Sequence, residues 1–331
     1  MSDHREIVAG DIGGTNARFC LAVLAGSEVV SLGETIKIRT HEYASFADAW
    51  RVLENRLRRP LPREAVIAVA CPAHGDVLKL TNSPWTLHPA ALKHQLRLDM
   101  LRFVNDFGAI GHALAQLQST DYLHLSGPAQ ELPARGMISV VGPGTGLGVA
   151  QVLRQNDTAQ VVETEGGHIS FAPQDEFEDA LLARLRARYE HVSVERIVSG
   201  PGLLHIYNML AGREGRIQDD AKLWQAGICG TDELAALAVR RFCQMLGTVA
   251  GDYALAHGAR AVVIAGGIAP RLATLLPQTD FAQRFIAKGR FQILLAGLPV
   301  KLIVHPEPGL LGAAAAAVST TSCSKRRDFF Q

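Results

Sequence analysis

Two apolar runs, Ile7-Val8-Ala9 and Phe19 to Leu24, flank the stretch Gly10-Asp11-Ile12-Gly13-Gly14-Thr15-Asn16. That pattern predicts two strands joined by a glycine turn. Glu28 to Ile38 reads as a further strand. Ser45 to Arg58 reads as a helix, because Phe46, Trp50, Leu53 and Leu57 recur at helical spacing and Ser45 is placed to cap it. Ala65 to Cys71 is continuously apolar and stops at Pro72, as a buried strand does, and Asp76 to Leu80 is expected to pair beside it. A short helix over His88–Leu96, a strand over Leu101–Val104 ending on Asn105-Asp106, and a helix from Phe107 to Leu117 follow. This order predicts a mixed sheet with helices on its faces.

The pattern then begins again. Met137 to Gly142 is strand-like, Pro143-Gly144-Thr145-Gly146-Leu147-Gly148 is a second glycine turn, and Val149 to Leu153 is a second return strand. Two similarly built domains explain the repetition best. Helices are predicted over Asp175–Arg188, from Ser199-Gly200-Pro201 through Leu210, and from Thr231-Asp232-Glu233 to about His257, where Gly258 stops the last. The stripe Leu234, Leu237, Ala238, Met245, Leu246, Val249 and Tyr253 is read as core. Ala261–Ala265 is a buried strand ending on Gly266-Gly267, Val300–Val304 is the last strand, Gly309–Val318 is an alanine-rich helix, and the tail beyond Ser319 is expected to fray.

A chain of 331 residues has room for two cored domains. A net charge of +1 with no long basic run argues against nucleic acid as a partner. No apolar run reaches the roughly 18–20 residues that span a bilayer, and the polar stretch Met1–Glu6 lacks a signal-peptide core. The five cysteines, Cys20, Cys71, Cys229, Cys243 and Cys323, show no CxxC spacing and are expected to be reduced thiols of a cytoplasmic protein.

The glycine turns carry the candidate chemistry. Glycines let successive backbone N–H groups face an anion, and Asp11 at a strand end could hold a magnesium ion through water. An ordinary hairpin turn with a solvated Asp is the competing reading. No Walker lysine loop occurs. Three glycine loops and a strand-end carboxylate together imply phosphoryl transfer from a nucleotide, where the protein positions groups and neutralises charge. The base is expected to be Asp106, although Asn-Asp after a strand also suits a helix cap. Glu163-Thr164-Glu165-Gly166-Gly167-His168 offers carboxylates and an imidazole to sugar hydroxyls, or else forms a charged turn. Glu195 by itself reads as an ion-paired surface residue.

Gly10 to Arg18, Val104-Asn105-Asp106-Phe107, Gly142 to Ala150 and Glu165-Gly166-Gly167-His168-Ile169-Ser170-Phe171-Ala172-Pro173 together resemble the motifs of bacterial glucokinases. His191 to Gly202, Ala265 to Arg271, Thr81-Asn82-Ser83-Pro84-Trp85 and His305 to Gly312 extend the resemblance, in order, over residues 6 to about 315. It implies an α/β, duplicated ribonuclease-H-like (actin-like ATPase) fold of two domains, 1–112 plus 310–331 and 113–309, with a ligand cleft between them. It further implies ATP-dependent phosphorylation of glucose at the 6-hydroxyl. Glucose would be held by Asn105, Asp106, Glu165, His168 and Glu195, with Asp106 taking the proton. ATP would meet Gly10, Asp11, Ile12, Gly13, Gly14, Thr15, Gly144, Thr145, Gly266 and Gly267, with Asp11 helping to place Mg2+. A homodimer is the assembly the resemblance implies.

The cysteine-rich zinc motif of the repressor-related sugar kinases is missing, since the first cysteine after His168 is Cys229. A kinase for another hexose keeps the same mechanism and stays open. A silent sugar sensor would be expected to carry a helix-turn-helix, for which the short stretch before the first strand leaves no room.

Overall fold

The computed structural model describes residues 4–80, 83–156 and 158–324, and Thr81, Asn82 and the segment 325–331 lie outside the described residues. The chain divides into two compact units, residues 1–117 with 305–331, and residues 118–304.

The first unit opens with strands β1 (His4–Ile12), β2 (Asn16–Ala25), β3 (Glu28–Leu32) and β4 (Ile36–Arg39), then helix α1 (Phe46–Leu57). It continues with β5 (Glu64–Val69), β6 (Leu78–Lys79), β7 (Thr86–Leu87), α2 (Pro89–Gln95), β8 (Met100–Asn105) and α3 (Asp106–Ala113). The second unit comprises β9 (Tyr122–Ser126), β10 (Arg135–Pro143), β11 (Leu147–Gln155) and β12 (Thr158–Thr164). Its helices α4 (Glu176–Arg186), α5 (Gly200–Leu210), α6 (Asp220–Cys229) and α7 (Glu233–Ala256) precede β13 (Ala259–Ile264). Short helices α8 (Phe281–Ile286) and α9 (Gln292–Ala296) lead to β14 (Val300–Ile303), and α10 (Pro308–Ser324) returns to the first unit.

The first sheet runs β3-β2-β1-β5-β8, with β4 also paired to β2. The β1–β2 pair is an antiparallel hairpin, whereas β1–β5 and β5–β8 are parallel. Successive side chains of a strand point to opposite faces, and the core divides accordingly. Val8, Ile12, Phe19 and Ile67 pack with Phe46, Trp50 and Leu53 of α1 on one face. Ile7, Ala9, Cys20 and Val66 pack with Ala313, Ala314, Ala316 and Ala317 of α10 on the other. Small residues let α10 lie close to α3: a Cβ on Gly312 would collide with the Ala109 carbonyl.

The second sheet, β12-β11-β10-β13-β14-β9, repeats the same grammar, with antiparallel β10–β11 and parallel β10–β13 and β13–β14. Antiparallel β9 is added at its edge. The long helix α7 buries Phe242, Met245, Leu246, Val249 and Tyr253 in the core of this unit.

Helix starts follow local chemistry. Ser45, Asp175, Ser199 and Asp232 each accept a backbone N–H of the first turn, the bond that N-cap side chains supply.

Four expectations are corrected. The strand expected over Glu28–Ile38 is two strands, because Gly33 N–H bonds Leu21 O at 2.7 Å and the chain then re-pairs with β2 at Asn16–Phe19. Asp76–Leu80 does not pair beside β5; Leu78-Lys79 forms a separate two-stranded ribbon with Thr86-Leu87. The helix expected to reach Leu117 ends at Ala113. Leu234 and Leu237 are exposed, because in those turns Ala235, Ala238 and Val239 face the core and the two leucines lie on the solvent side of α7. The helix α10 reaches Ser324, and the remaining tail lies outside the described residues. Among the described residues no helix is long and apolar enough to cross a membrane.

Candidate active site

In the first unit the hairpin places its glycines differently from one another. Gly10 lies inside β1 opposite Phe19 and Ile67, and a Cβ there would sit 2.7 Å from Ile67 Cδ1. Packing therefore requires this glycine. Ile12 is likewise core. Gly13, Gly14 and Thr15 form the turn, closed by Gly13 N–H to Asn16 O at 2.9 Å. Buried Thr40 braces it from outside, with its N–H on Thr15 O (3.0 Å) and its Oγ1 on Gly14 O (2.8 Å). The Gly14 and Thr15 N–H groups have no protein acceptor among the described residues, as an anion cradle requires.

Asp11 projects beside this turn. Arg18, its register partner on β2, lies 3.9 Å from Asp11 Oδ2 and 3.1 Å from Glu307 Oε2. Burial pushes the Asp11 pKa upward, Arg18 pulls it back, and Glu307 pushes it up again. One guanidinium thus serves two carboxylates. Among the described residues no group of three or more His, Cys, Asp or Glu is assembled to hold a metal ion.

At the end of parallel strand β8, Asn105 is the N-cap of α3: its Oδ1 accepts from Phe107 N (2.9 Å) and Gly108 N (3.1 Å), and its Nδ2 donates to Cys71 O (3.3 Å). Asp106 is the first residue of α3, half-buried, with Oδ1 accepting from Phe107 N at 2.9 Å. The sequence signal for a cap and the signal for a base thus fall on adjacent residues.

The second unit brings several expected residues together. In its hairpin turn Gly144 N–H bonds Gly146 O, and Gly144 O accepts from Gly200 N, both at 2.8 Å. The Thr145 and Gly146 N–H groups have no protein acceptor among the described residues. Gly266 adopts φ +88°, where only glycine is unstrained, and a Cβ on it would lie 2.6 Å from Pro143 O. Ile268 N–H to Pro143 O (3.2 Å) fixes the Gly266-Gly267 turn against that loop. Gly267 is exposed with open space around it.

Glu165 and His168 bracket a single helical turn over Gly166–His168 and point outward, Nε2 to Oε2 4.0 Å. Val194 N–H to Ile169 O (2.9 Å) and a bridge between Ser170 and Ser193 tie that turn to the one carrying Glu195. Glu195 Oε2 in turn accepts the Leu147 N–H at the end of the glycine loop, 2.8 Å. Glu195 consequently lines both of two adjoining cavities. One, about 340 Å³, contains Thr145 and Ser199; the other, about 420 Å³, contains His168 and Ser193. Arg188 and Arg196 line both and give them a cationic wall, with Arg196 stacked 4.2 Å over the Tyr189 ring. Burial, reinforced by Arg188, Arg196 and Arg184, lowers the pKa of His205 in that wall.

Sequence reasoning missed the two arginines and the Leu147–Glu195 bond, which join residues far apart in the chain. It also missed Glu307, whose partner Arg18 lies near the other end of the chain.

A convergent glycine loop, second glycine turn and carboxylate–imidazole cluster suit a site for a phosphorylated nucleotide and a polyol. Comparison with known proteins agrees in detail. The family model described as Glucokinase matches residues 8–320. The glucokinase of Zymomonas mobilis is 54% identical over 314 residues, covering 94% of this chain and 97% of that protein. Among solved structures, a glucokinase from an Antarctic psychrotroph superposes with a TM-score of 0.80 at 34% identity, over 94% of this chain and 98% of that one. A glucokinase from Balamuthia mandrillaris, solved in complex with glucose, shares the fold at 22% identity, with a TM-score of 0.79 over 96% of this chain and 94% of that one. The duplicated α/β fold is thus the actin-like ATPase fold of the sugar kinases, and the chain belongs to the glucokinase family.

Proposed function

We propose that this protein transfers the γ-phosphoryl group of ATP to the 6-hydroxyl of glucose, giving glucose 6-phosphate and ADP. The observation that carries the reading is Glu195, hydrogen-bonded to the end of the glycine loop and tied through Val194 and Ser193 to the turn that carries Glu165 and His168, within a chain of the glucokinase family. Glu165, His168 and Glu195, with Asn105 and Asp106, would fix the sugar hydroxyls, each carboxylate accepting and each amide or imidazole donating.

Asp106 would accept the proton of the 6-hydroxyl as that oxygen attacks phosphorus, the role a base near the acceptor plays in such transfers. Its Oδ1 accepts the Phe107 N–H at 2.9 Å, a bond that orients the carboxylate at the start of the helix. The unpaired N–H groups of Gly14, Thr15, Thr145 and Gly146 would cradle phosphate oxygens. Gly144 shapes the second loop, and exposed Gly267 beside Gly266 would allow close approach of the adenosine. Gly10 and Ile12 support the first loop through packing.

Asp11 suits magnesium held through water. Asp11 and Glu307, which share Arg18, are too few ligands for a direct protein cage, whereas magnesium on phosphates keeps several waters. When bound, the ion would neutralise phosphate charge. The free thiols Cys20, Cys71, Cys229 and Cys243 fit a reducing cytoplasmic compartment, and a homodimer is the assembly we propose from family resemblance.

An ADP-release assay with MgATP against glucose, mannose, fructose, N-acetylglucosamine and no sugar tests the reading. Turnover chiefly on glucose is expected. Turnover chiefly on another sugar would change the substrate, and glucose binding without turnover would replace the enzyme with a sensor.

A further inference from the structure

We infer that Tyr253, on the buried face of α7, is a positioning residue for sugar recognition: it holds the Glu165–His168 turn through a hydrogen bond to its backbone. The inference rests on the proposed reading of Glu165 and His168 as sugar ligands. Tyr253 is 3% exposed, and its hydroxyl donates to Gly166 O at 2.6 Å. Gly166 lies between the two candidate sugar ligands, and several other backbone groups of the turn are also committed. Gly166 N–H goes to Thr164 Oγ1 (3.2 Å), Ile169 N–H also goes to Gly166 O (3.1 Å), and His168 N–H goes to Glu165 O (3.0 Å).

Neighbouring strands leave the turn no slack. A Cβ on Gly166 would meet Val149 Cβ at 2.8 Å, and one on Gly167 would collide with Leu147 O. The side chains of Glu165 and His168 are, by contrast, mostly exposed, with no buried partner among the described residues to set their direction. Their aim is therefore inherited from the backbone of the turn. Tyr253 is the only side chain outside the segment itself that bonds Gly166 among the described residues.

The tyrosine is itself anchored from behind. Its ring stacks on His257, centroids 5.6 Å apart and planes at 28°, and His257 Nδ1 bonds Ser139 Oγ at 2.7 Å. Ser139 belongs to β10, the strand that ends in the Pro143–Gly146 loop. Ser139 Oγ also donates to the Tyr253 carbonyl at 3.4 Å, so contacts run from the strand behind the glycine loop through Tyr253 to the Glu165–His168 turn. Burial, with Asp252 adding to it, raises the Tyr253 pKa, so the phenol stays a donor at physiological pH.

Tyr253→Phe deletes one oxygen and leaves the packing. Steady-state kinetics should show the KM for glucose rising about threefold to tenfold, the loss of one buried hydrogen bond. The KM for ATP and kcat should stay within about twofold, an outcome a general loss of structure would not give. Ser139→Ala removes the hydroxyl that bonds His257 Nδ1 and the Tyr253 carbonyl, so it should raise the glucose KM in the same direction as Tyr253→Phe and by less, with the ATP KM unmoved. A glucose KM unchanged in Tyr253→Phe, or moving together with the ATP KM, would overturn the inference. A wild type with no glucose turnover would instead overturn the proposed function, and this inference with it.

A second measurement needs no variant at position 253. Wild-type protein carrying 3-fluorotyrosine at its five tyrosines, with Phe variants at the other four for assignment, should give a Tyr253 fluorine resonance that shifts on glucose and not on ATP. A resonance indifferent to glucose would contradict the role.

Discussion

Leu147 and Glu195, 48 residues apart, are joined by one hydrogen bond from the Leu147 amide to Glu195 Oε2 at 2.8 Å. Oε1 is left for a ligand, so a single carboxylate meets the end of the glycine loop and the cavity that holds His168. A group that senses both places couples them, and such coupling acts equally in both directions.

Gly146→Ala tests this link without altering the carboxylate. The new Cβ would collide with Glu195 Oε2 and force it off the Leu147 amide. A hydrogen bond to a charged group contributes about 1.5–3 kcal/mol, so the variant should weaken glucose and ATP together, each by roughly tenfold or more. Substrate titrations of the variant check it. An effect on one substrate alone would mean that Glu195 serves the two loops independently.

Gly312→Ala addresses the fold. The methyl group would drive α10 away from Ala109 of α3. Overpacking of this kind costs about 1–3 kcal/mol, and a melting temperature lower by roughly 2–10 °C is expected, with any residual activity per folded molecule retained. An unshifted melt would show that the two helices yield freely.

His112, in the last turn of α3, carries an acid-sensitive contribution. Burial, with Arg102 pushing the same way, lowers its pKa from 6.5 to about 4. Between those values the unfolded chain binds a proton that the folded chain does not. Stability is therefore complete above about pH 6.5 and declines as the pH falls toward about 4, by an amount on the order of 2–3 kcal/mol. His257, also lowered by burial, acts in the same direction. Thermal melts at pH 7.5 and pH 5 should show a smaller pH difference for His112→Gln than for the wild type; equal differences would remove His112 from the acid response.

Much of this was legible in the sequence because it is decided over a few residues. The caps at Ser45 and Ser199 need only the following turn, and the two hairpins need only flanking apolar runs and glycines. The Glu165–His168 turn and the Asn105-Asp106 strand end were visible for the same reason. The break at Gly33 was not, because it depends on where the chain re-pairs along β2. The exposure of Leu234 and Leu237 depends on the rotation of α7 about its axis, which turns Ala235, Ala238 and Val239 to the core instead. Tyr253 read as one more apolar stripe position, since nothing local distinguishes a tyrosine packed by its ring from one whose hydroxyl reaches Gly166, 87 residues away. Gly10 shows the reverse case: a motif glycine that packing against Ile67 and Phe19 explains on its own.

Asp106→Asn tests most directly the proposal that Asp106 takes the proton from the sugar. The amide keeps the shape and an oxygen for Phe107 N–H but can no longer act as a base. Measured with saturating MgATP and glucose, kcat should fall by roughly 10²–10⁴ while the glucose dissociation constant changes little. Turnover near that of the wild type would contradict the mechanism.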